Sequence, residues 1–146
     1  NGGKGVFMST YAVEMWGNTI YDNGSHGIQN HRGDWYVAIA NNIIAGNGGY
    51  GLYSGTTSYE ELEVHNANNL FHNNSSGTSN TGAVAVLGIN NIEADPDFVS
   101  TTEGNADFLR PSADSPAKGA GLNGTDIGSV ASAGGGGGGG TVGFAL

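Results

Sequence analysis

The sequence predicts an all-β solenoid in which short parallel strands stack coil upon coil. Gly accounts for 28 and Asn for 17 of the 146 residues, and both residue types are unfavourable in helix interiors. Short apolar runs alternate with Gly and Asn clusters, which is typical of strands joined by turns. A six-residue motif, Asn-x-apolar-x-x-Asn, also recurs three times, and such recurrence indicates stacked repeats.

The copies of this motif occupy residues 18–23, 42–47 and 69–74, at offsets of 24 and 27 residues. A unit of this size cannot bury its apolar face alone, so successive copies must stack, at about 4.8 Å per coil if their strands pair. Asn suits a corner of such a coil because it tolerates the left-handed conformation and its side chain bonds to nearby backbone groups. Stacking predicts an Asn ladder at one turn, formed by Asn18, Asn42 and Asn69. It also predicts an internal apolar column formed by Ile20, Ile44 and Phe71. A second column would contain Val13, Val37 and Val64.

A β-sandwich is the main alternative architecture, because it also contains short strands at regular intervals. It offers no reason for the fixed spacing of the motif, so we favour the solenoid. The chain then divides into coils over residues 1–88, end-cap loops over residues 89–130 and a glycine-rich tail over residues 131–146.

The predicted end cap contains all three prolines of the chain, which end strands and fix extended turns. Its apolar residues Phe98, Phe108 and Leu109 are expected to cover the last coil, since an uncovered solenoid end exposes unpaired backbone groups. Asp95 and two further aspartates, Asp107 and Asp126, are candidate calcium ligands. Aspartates at such positions more commonly accept hydrogen bonds from the turns that follow them. We therefore predict no cofactor, and bound calcium is the alternative.

Four boxes in this region carry a resemblance to a known family. They are a DPxF box at residues 95–98, an Ala-Asp-Phe-Leu-Arg-Pro box at 106–111, an SPAxxxG box at 115–121 and a final Asp-Ile-Gly at 126–128. Together with the Asn motifs, this succession is similar to the C-terminal end of right-handed parallel β-helix proteins of the pectate-lyase-like superfamily. The resemblance implies a right-handed parallel β-helix of about three to four coils with a C-terminal cap.

The two ends of the chain predict partners. Residues 1–6 enter a strand at once, without a polar cap, so we expect either other coils of a larger protein or end-to-end self-association to cover this end. Residues 134–140 are an unbroken heptaglycine, which resembles the start of a glycine-rich sorting signal of bacterial surface proteins. Only six residues follow and none is basic, which departs from that pattern.

Charge and composition exclude several function classes. The chain carries 13 acidic and 4 basic residues, with a net charge of -9, and nucleic-acid binding requires clustered Lys and Arg. No apolar run approaches the roughly 18 residues of a membrane span. The absence of cysteine excludes disulfides and thiolate metal sites. The acidic, glycine-rich composition favours an extracellular or bacterial cell-surface location.

The resemblance implies candidate chemistry that the residues do not support. Lyases of this superfamily use calcium held by carboxylates and an Arg or Lys base, and hydrolases of this fold use clustered Asp residues. The basic residues here are Lys4, Arg32, Arg110 and Lys118, and the last two lie inside the end-cap boxes. No carboxylates align with Lys4 or Arg32 at the repeat spacing, so no catalytic residues are assigned.

The richest polar and aromatic cluster lies between residues 26 and 36. Aromatic rings and amides on a flat sheet suit sugar binding through stacking and hydrogen bonds, although a solvated loop with local packing of Trp35 explains the same residues. His26 and His31 are five positions apart, so we expect their side chains to lie on opposite faces of the chain. This spacing does not favour a zinc site formed by the two histidines. The candidate ligand-binding residues are His26, Gln29, His31, Arg32, Trp35, Tyr36 and Tyr53.

Two functions follow from these observations. The preferred one is a structural, adhesive or filament-forming segment of an extracellular β-solenoid, with polysaccharide as the candidate ligand. The alternative is the C-terminal part of a secreted polysaccharide lyase or glycoside hydrolase whose active site lies on coils absent from this sequence.

Overall fold

The computed structural model describes residues 2–9, 13–31, 37–54, 64–80 and 86–133. The heptaglycine at 134–140 and the candidate residues Arg32, Trp35 and Tyr36 lie outside these ranges. Over these residues the fold is all-β, with three parallel sheets of four short strands each, which is consistent with the predicted parallel solenoid. Among the described residues no helix is long and apolar enough to cross a bilayer.

Consecutive strands enter the three sheets in turn, and each of the first nine described strands pairs in parallel with the strand three places later. We call each set of three successive strands a rung. Sheet A contains β1 (Val6–Met8), β4 (Ile28–Asn30), β7 (Tyr50–Ser54) and β10 (Gly77–Asn80). Sheet B contains β2 (Val13–Trp16), β5 (Val37–Ala40), β8 (Val64–Ala67) and β11 (Val86–Ile89). Sheet C contains β3 (Thr19–Tyr21), β6 (Ile43–Ala45), β9 (Leu70–His72) and β12 (Ile92–Glu93).

The strand register places like residues over one another along the axis. Ile20 pairs with Ile44, and Ile44 pairs with Phe71. All three side chains are buried in an inner core that they share with Ile28 and Ile39 from the other two sheets. Val13, Val37 and Val64 are register partners in sheet B. The six-residue motif therefore sets the position of the first three sheet C strands.

Hydrogen bonds join the Asn residues at the start of each sheet C strand. The side-chain Nδ2 of Asn18 donates to Oδ1 of Asn42 at 2.9 Å, and Nδ2 of Asn42 donates to Oδ1 of Asn69 at 3.0 Å. Asn91 extends this ladder by accepting from the backbone N–H of Asn69 at 2.9 Å. The second Asn of each motif forms a further ladder, in which Asn23, Asn47 and Asn74 are joined in the same way.

The left-handed conformation belongs to the residue before each ladder Asn, which corrects the reason given above for Asn at these corners. Gly17, Asn41, Asn68 and Asn90 have φ values from 51° to 65°, whereas Asn42 and Asn69 stay outside this region. Two neighbouring residues therefore have different roles at each corner. One residue makes the turn, and the next bonds to the adjacent rung.

The C-terminal segment, residues 94–133, packs along the side of the solenoid on the outer face of sheet C. Ile127 and Ala117 are fully buried there against Ile43 and Leu70. Phe98, expected to cover the last coil, instead lies edge-on against Tyr21 of the first rung, with ring centroids 5.5 Å apart. This expectation was wrong because an apolar residue can cover any apolar surface within reach, and here that surface is a sheet face.

The three candidate calcium ligands hold turns of this segment. Asp126 accepts from the backbone N–H of Gly119 at 2.9 Å and from that of Ser132 at 2.8 Å. Burial opposes ionisation of Asp126, but these backbone hydrogen bonds outweigh it and lower the pKa of its carboxyl. Asp107 pairs with Arg110 at 2.9 Å, and Asp95 accepts from the N–H of Asp97.

Candidate functional site

The outer face of sheet A is the side of the solenoid on which the predicted ligand-binding residues lie. Phe7, Gln29 and Tyr53 are register partners on β1, β4 and β7. Their neighbours Ile28 and Leu52 point into the inner core, and alternation along each strand turns the three side chains outward. The outer face of sheet A thus presents one column of two aromatic rings and an amide.

His26 and two tyrosines form a stack of rings beside this column. The imidazole of His26 lies 4.2 Å from the ring of Tyr53, with only 6° between their planes. Tyr50 stands 5.9 Å from His26 and 6.0 Å from Tyr53, again nearly parallel. The three rings therefore form a group of fixed orientation on a rigid sheet.

A backbone hydrogen bond fixes the protonation state of His26. Its Nδ1 accepts from the N–H of Tyr50 at 3.0 Å, so the neutral tautomer with the proton on Nε2 fits this geometry. Burial, and to a lesser degree the positive charge of Lys4, lowers the pKa of His26 below its usual value of 6.5. His26 is therefore suited to remain neutral at pH 7.

The first rung contributes a second aromatic contact to this face. The ring of Phe7 is 49% exposed, and it lies 5.5 Å from the ring of His31. The ammonium group of Lys4 sits 4.4 Å from the centroid of Phe7, within cation–π range. His26 and His31 both flank the Gln29 column, which corrects the expectation of opposite faces. The chain bends at Gly27 before β4 begins, so strand alternation does not connect the two residues.

Gln29 carries an unsatisfied acceptor at the centre of the column. Its side-chain Oε1 is buried and accepts no hydrogen bond from a described residue. A buried carbonyl without a partner costs about 1–3 kcal/mol. A ligand hydroxyl reaches this oxygen only after the Gln29 side chain rotates toward solvent.

The structure thus brings four of the predicted residues, His26, Gln29, His31 and Tyr53, to one face. It adds Lys4 and Phe7, which the sequence reasoning did not assign to this site. The signal was present, because Phe7 precedes Gln29 by 22 residues, close to the 24 residues between Gln29 and Tyr53.

Among the described titratable groups, Nε2 of His72 lies 3.6 Å from Oδ2 of Asp95. Within the described ranges no three His, Asp or Glu side chains converge as metal ligands. Arg110 pairs with Asp107, and the ammonium group of Lys118 donates to the carbonyl of Ala113. The arrangement on sheet A offers ring surfaces, an amide and neutral imidazole, which are groups for binding.

Comparisons of the chain with protein-family models, with curated proteins and with solved structures give no match.

Proposed function

We propose that the chain is a non-catalytic segment of an extracellular or cell-surface β-solenoid that contacts neutral carbohydrate through the outer face of sheet A. The observation that carries this proposal is the fixed, parallel arrangement of His26 and Tyr53 beside the amide of Gln29. Flat rings pack against the apolar C–H faces of a sugar, and an amide bonds to its hydroxyls.

The charge of the chain favours a neutral glycan over an acidic one. A net charge of -9 repels polyanions at long range. Lys4 lies over the ring of Phe7, and the backbone bond to Tyr50 holds His26 neutral. Specificity would then come from ring stacking and from hydroxyl hydrogen bonds to Gln29.

The resemblance to pectate-lyase-like β-helix proteins also supports this proposal. A right-handed parallel β-helix of three to four coils, like those of the pectate-lyase-like superfamily, is a rigid support for a repeating surface. The glycine-rich tail supports attachment at a bacterial surface. A structural or adhesive role needs no catalytic set, in agreement with the composition of the chain.

Calorimetric titration with xylohexaose and cellohexaose tests the proposal. We expect binding of at least one of these probes, and about two- to tenfold weaker binding for Tyr53→Ala, because one stacked ring is worth about 0.5–1.5 kcal/mol. The matched control is Trp16→Ala, which removes an aromatic side chain that is 49% exposed on sheet B and is expected to leave binding unchanged.

Three outcomes contradict the proposal: neither probe binds, the two variants weaken binding equally, or the chain releases unsaturated products from polygalacturonate. The last outcome would favour the lyase interpretation.

A further inference from the structure

The interior of the first three rungs follows one rule. Each rung places a glycine, which lies just before or within its sheet A strand, against an apolar side chain of sheet C and against the Asn of the second ladder. The three sets are Gly5 with Ile20 and Asn23, Gly27 with Ile44 and Asn47, and Gly51 with Phe71 and Asn74.

Close packing explains the glycine at this position. A Cβ atom at Gly27 would lie 2.7 Å from Cγ2 of Ile44 and 2.9 Å from the carbonyl oxygen of Gly51 in the next rung. Gly51 has the same environment, with the carbonyl oxygen of Thr78 at 2.8 Å. A side chain here would therefore collide with the backbone of the following rung.

The fourth rung breaks this rule at every position. Thr78, the register neighbour of Gly51, replaces the glycine, and Glu93, the register partner of Phe71, replaces the apolar residue. Thr78 Oγ1 donates to the carboxylate of Glu93, beside a cavity of about 240 Å³ that Phe71 also lines. Pro96 stands where the ladder spacing of five residues calls for Asn. A further rung in the same register would place its carbonyl against Cβ of Thr78.

The first rung, by contrast, keeps the complete rule. We call the edges of β1, β2 and β3 that point away from the second rung the first-rung face. Each of these strands is the outermost described strand of its sheet. In the ladder, each Asn donates to Oδ1 of the Asn in the following rung. Oδ1 of Asn18 accepts no hydrogen bond from the described residues, so it is open to a donor from a preceding rung.

We infer that the first-rung face binds one more parallel rung of this repeat type, supplied by an adjoining solenoid segment. That rung carries glycine over Gly5, apolar residues at the inward positions and an Asn whose N–H groups donate to Asn18. The last rung of a second copy does not meet these requirements, because Thr78 and Glu93 occupy the inner positions. Thr78 and Glu93 thus prevent head-to-tail stacking of identical chains.

The test replaces Thr78 and Glu93 of the fourth rung with residue types that the first three rungs carry at these positions. In the double variant Thr78→Gly/Glu93→Ile, each copy offers a rung that fits the first-rung face of another copy. Sedimentation velocity should then detect open-ended, concentration-dependent oligomers larger than a dimer. The matched control, Glu93→Ile alone, keeps the blocking Cβ of Thr78 and should sediment like the unaltered chain, without head-to-tail assembly.

Two results would overturn the inference. The first is a folded double variant, by circular dichroism, that sediments like Glu93→Ile. The second is head-to-tail polymerisation of the unaltered chain. If the double variant does not fold, Thr78→Gly/Glu93→Ala, which removes both obstacles with a smaller side chain, should show concentration-dependent association, and sedimentation identical to the unaltered chain would refute the inference.

Discussion

Sheets A and C have the same strand arrangement but opposite surroundings on their outer faces. Both sheets contribute to the inner core, through Ile28 in sheet A and Ile44 in sheet C. The outer residues of sheet C include Ile43 and Leu70, which are fully buried beneath the C-terminal segment. The outer residues of sheet A include Phe7, which is half-exposed, and no described segment covers them.

This difference shows how one repeat produces a structural face and a face for binding. Strand alternation fixes which residues point outward, but the surface that covers them decides their chemistry. Covered positions carry Ile, Leu and Ala, whose burial stabilises the fold. The uncovered positions of sheet A tolerate amides, imidazole and tyrosine, and these groups can recognise a ligand.

Removing the cover of sheet C should have the largest effect on stability. Ile127→Ala leaves a cavity against Ile43 and Leu70, so we expect a loss of about 2–5 kcal/mol in the free energy of unfolding. Urea denaturation measures this loss. The control Leu122→Ala, at a residue that is 44% exposed in the same segment, should change stability by less than about 0.5 kcal/mol. Equal losses would show that the segment does not pack on sheet C as a core.

Breaking the ladder beside sheet C should have an intermediate effect. Asn42 donates from Nδ2 to Asn69 and to the carbonyls of Met15 and Ala40, and its Oδ1 accepts from Asn18. Asn42→Ala leaves these buried groups unpaired, at a cost of about 1–3 kcal/mol. Asn18→Ala should cost less, because Oδ1 of Asn18 accepts nothing from a described residue. Thermal denaturation of both variants compares them, and unchanged melting of Asn42→Ala would contradict a stabilising ladder.

Acid should act on sheet A with the smallest effect. Because the folded state lowers the pKa of His26, the folded state binds fewer protons than the unfolded state below pH 6.5. The contribution of His26 is therefore complete above pH 6.5 and is lost as the pH falls through the folded-state pKa. His26→Gln should show a weaker decline in stability below pH 6.5 than the unaltered chain. An identical decline would mean that His26 is not linked to folding.

Much of the fold could be predicted from the spacing of a few residues. The Asn-x-apolar-x-x-Asn motif fixes which residues share a column, because paired parallel strands keep one register. The second ladder lies in the same motif, yet only the first Asn of each copy was assigned to a ladder. The path of residues 94–133 could not be predicted, since the apolar character of Phe98 and Ile127 does not specify which surface they cover.

The site could be predicted only in part, for a related reason. His26, Gln29 and Tyr53 follow the repeat, so their convergence is a consequence of register. Phe7 lies in an incomplete copy of the repeat, and the stacking of His26 on Tyr53 depends on the bend at Gly27. Such bends change the face on which a side chain lies without leaving a periodic signal.

The most direct test of the contrast between the two sheets is a nuclear magnetic resonance titration with xylohexaose. We predict that the amide resonances of Gln29 and Tyr53 shift with added xylohexaose, while those of Ile43 and Leu70 stay in place. Shifts confined to sheet C, or no shift on sheet A at millimolar xylohexaose and cellohexaose, would contradict the account.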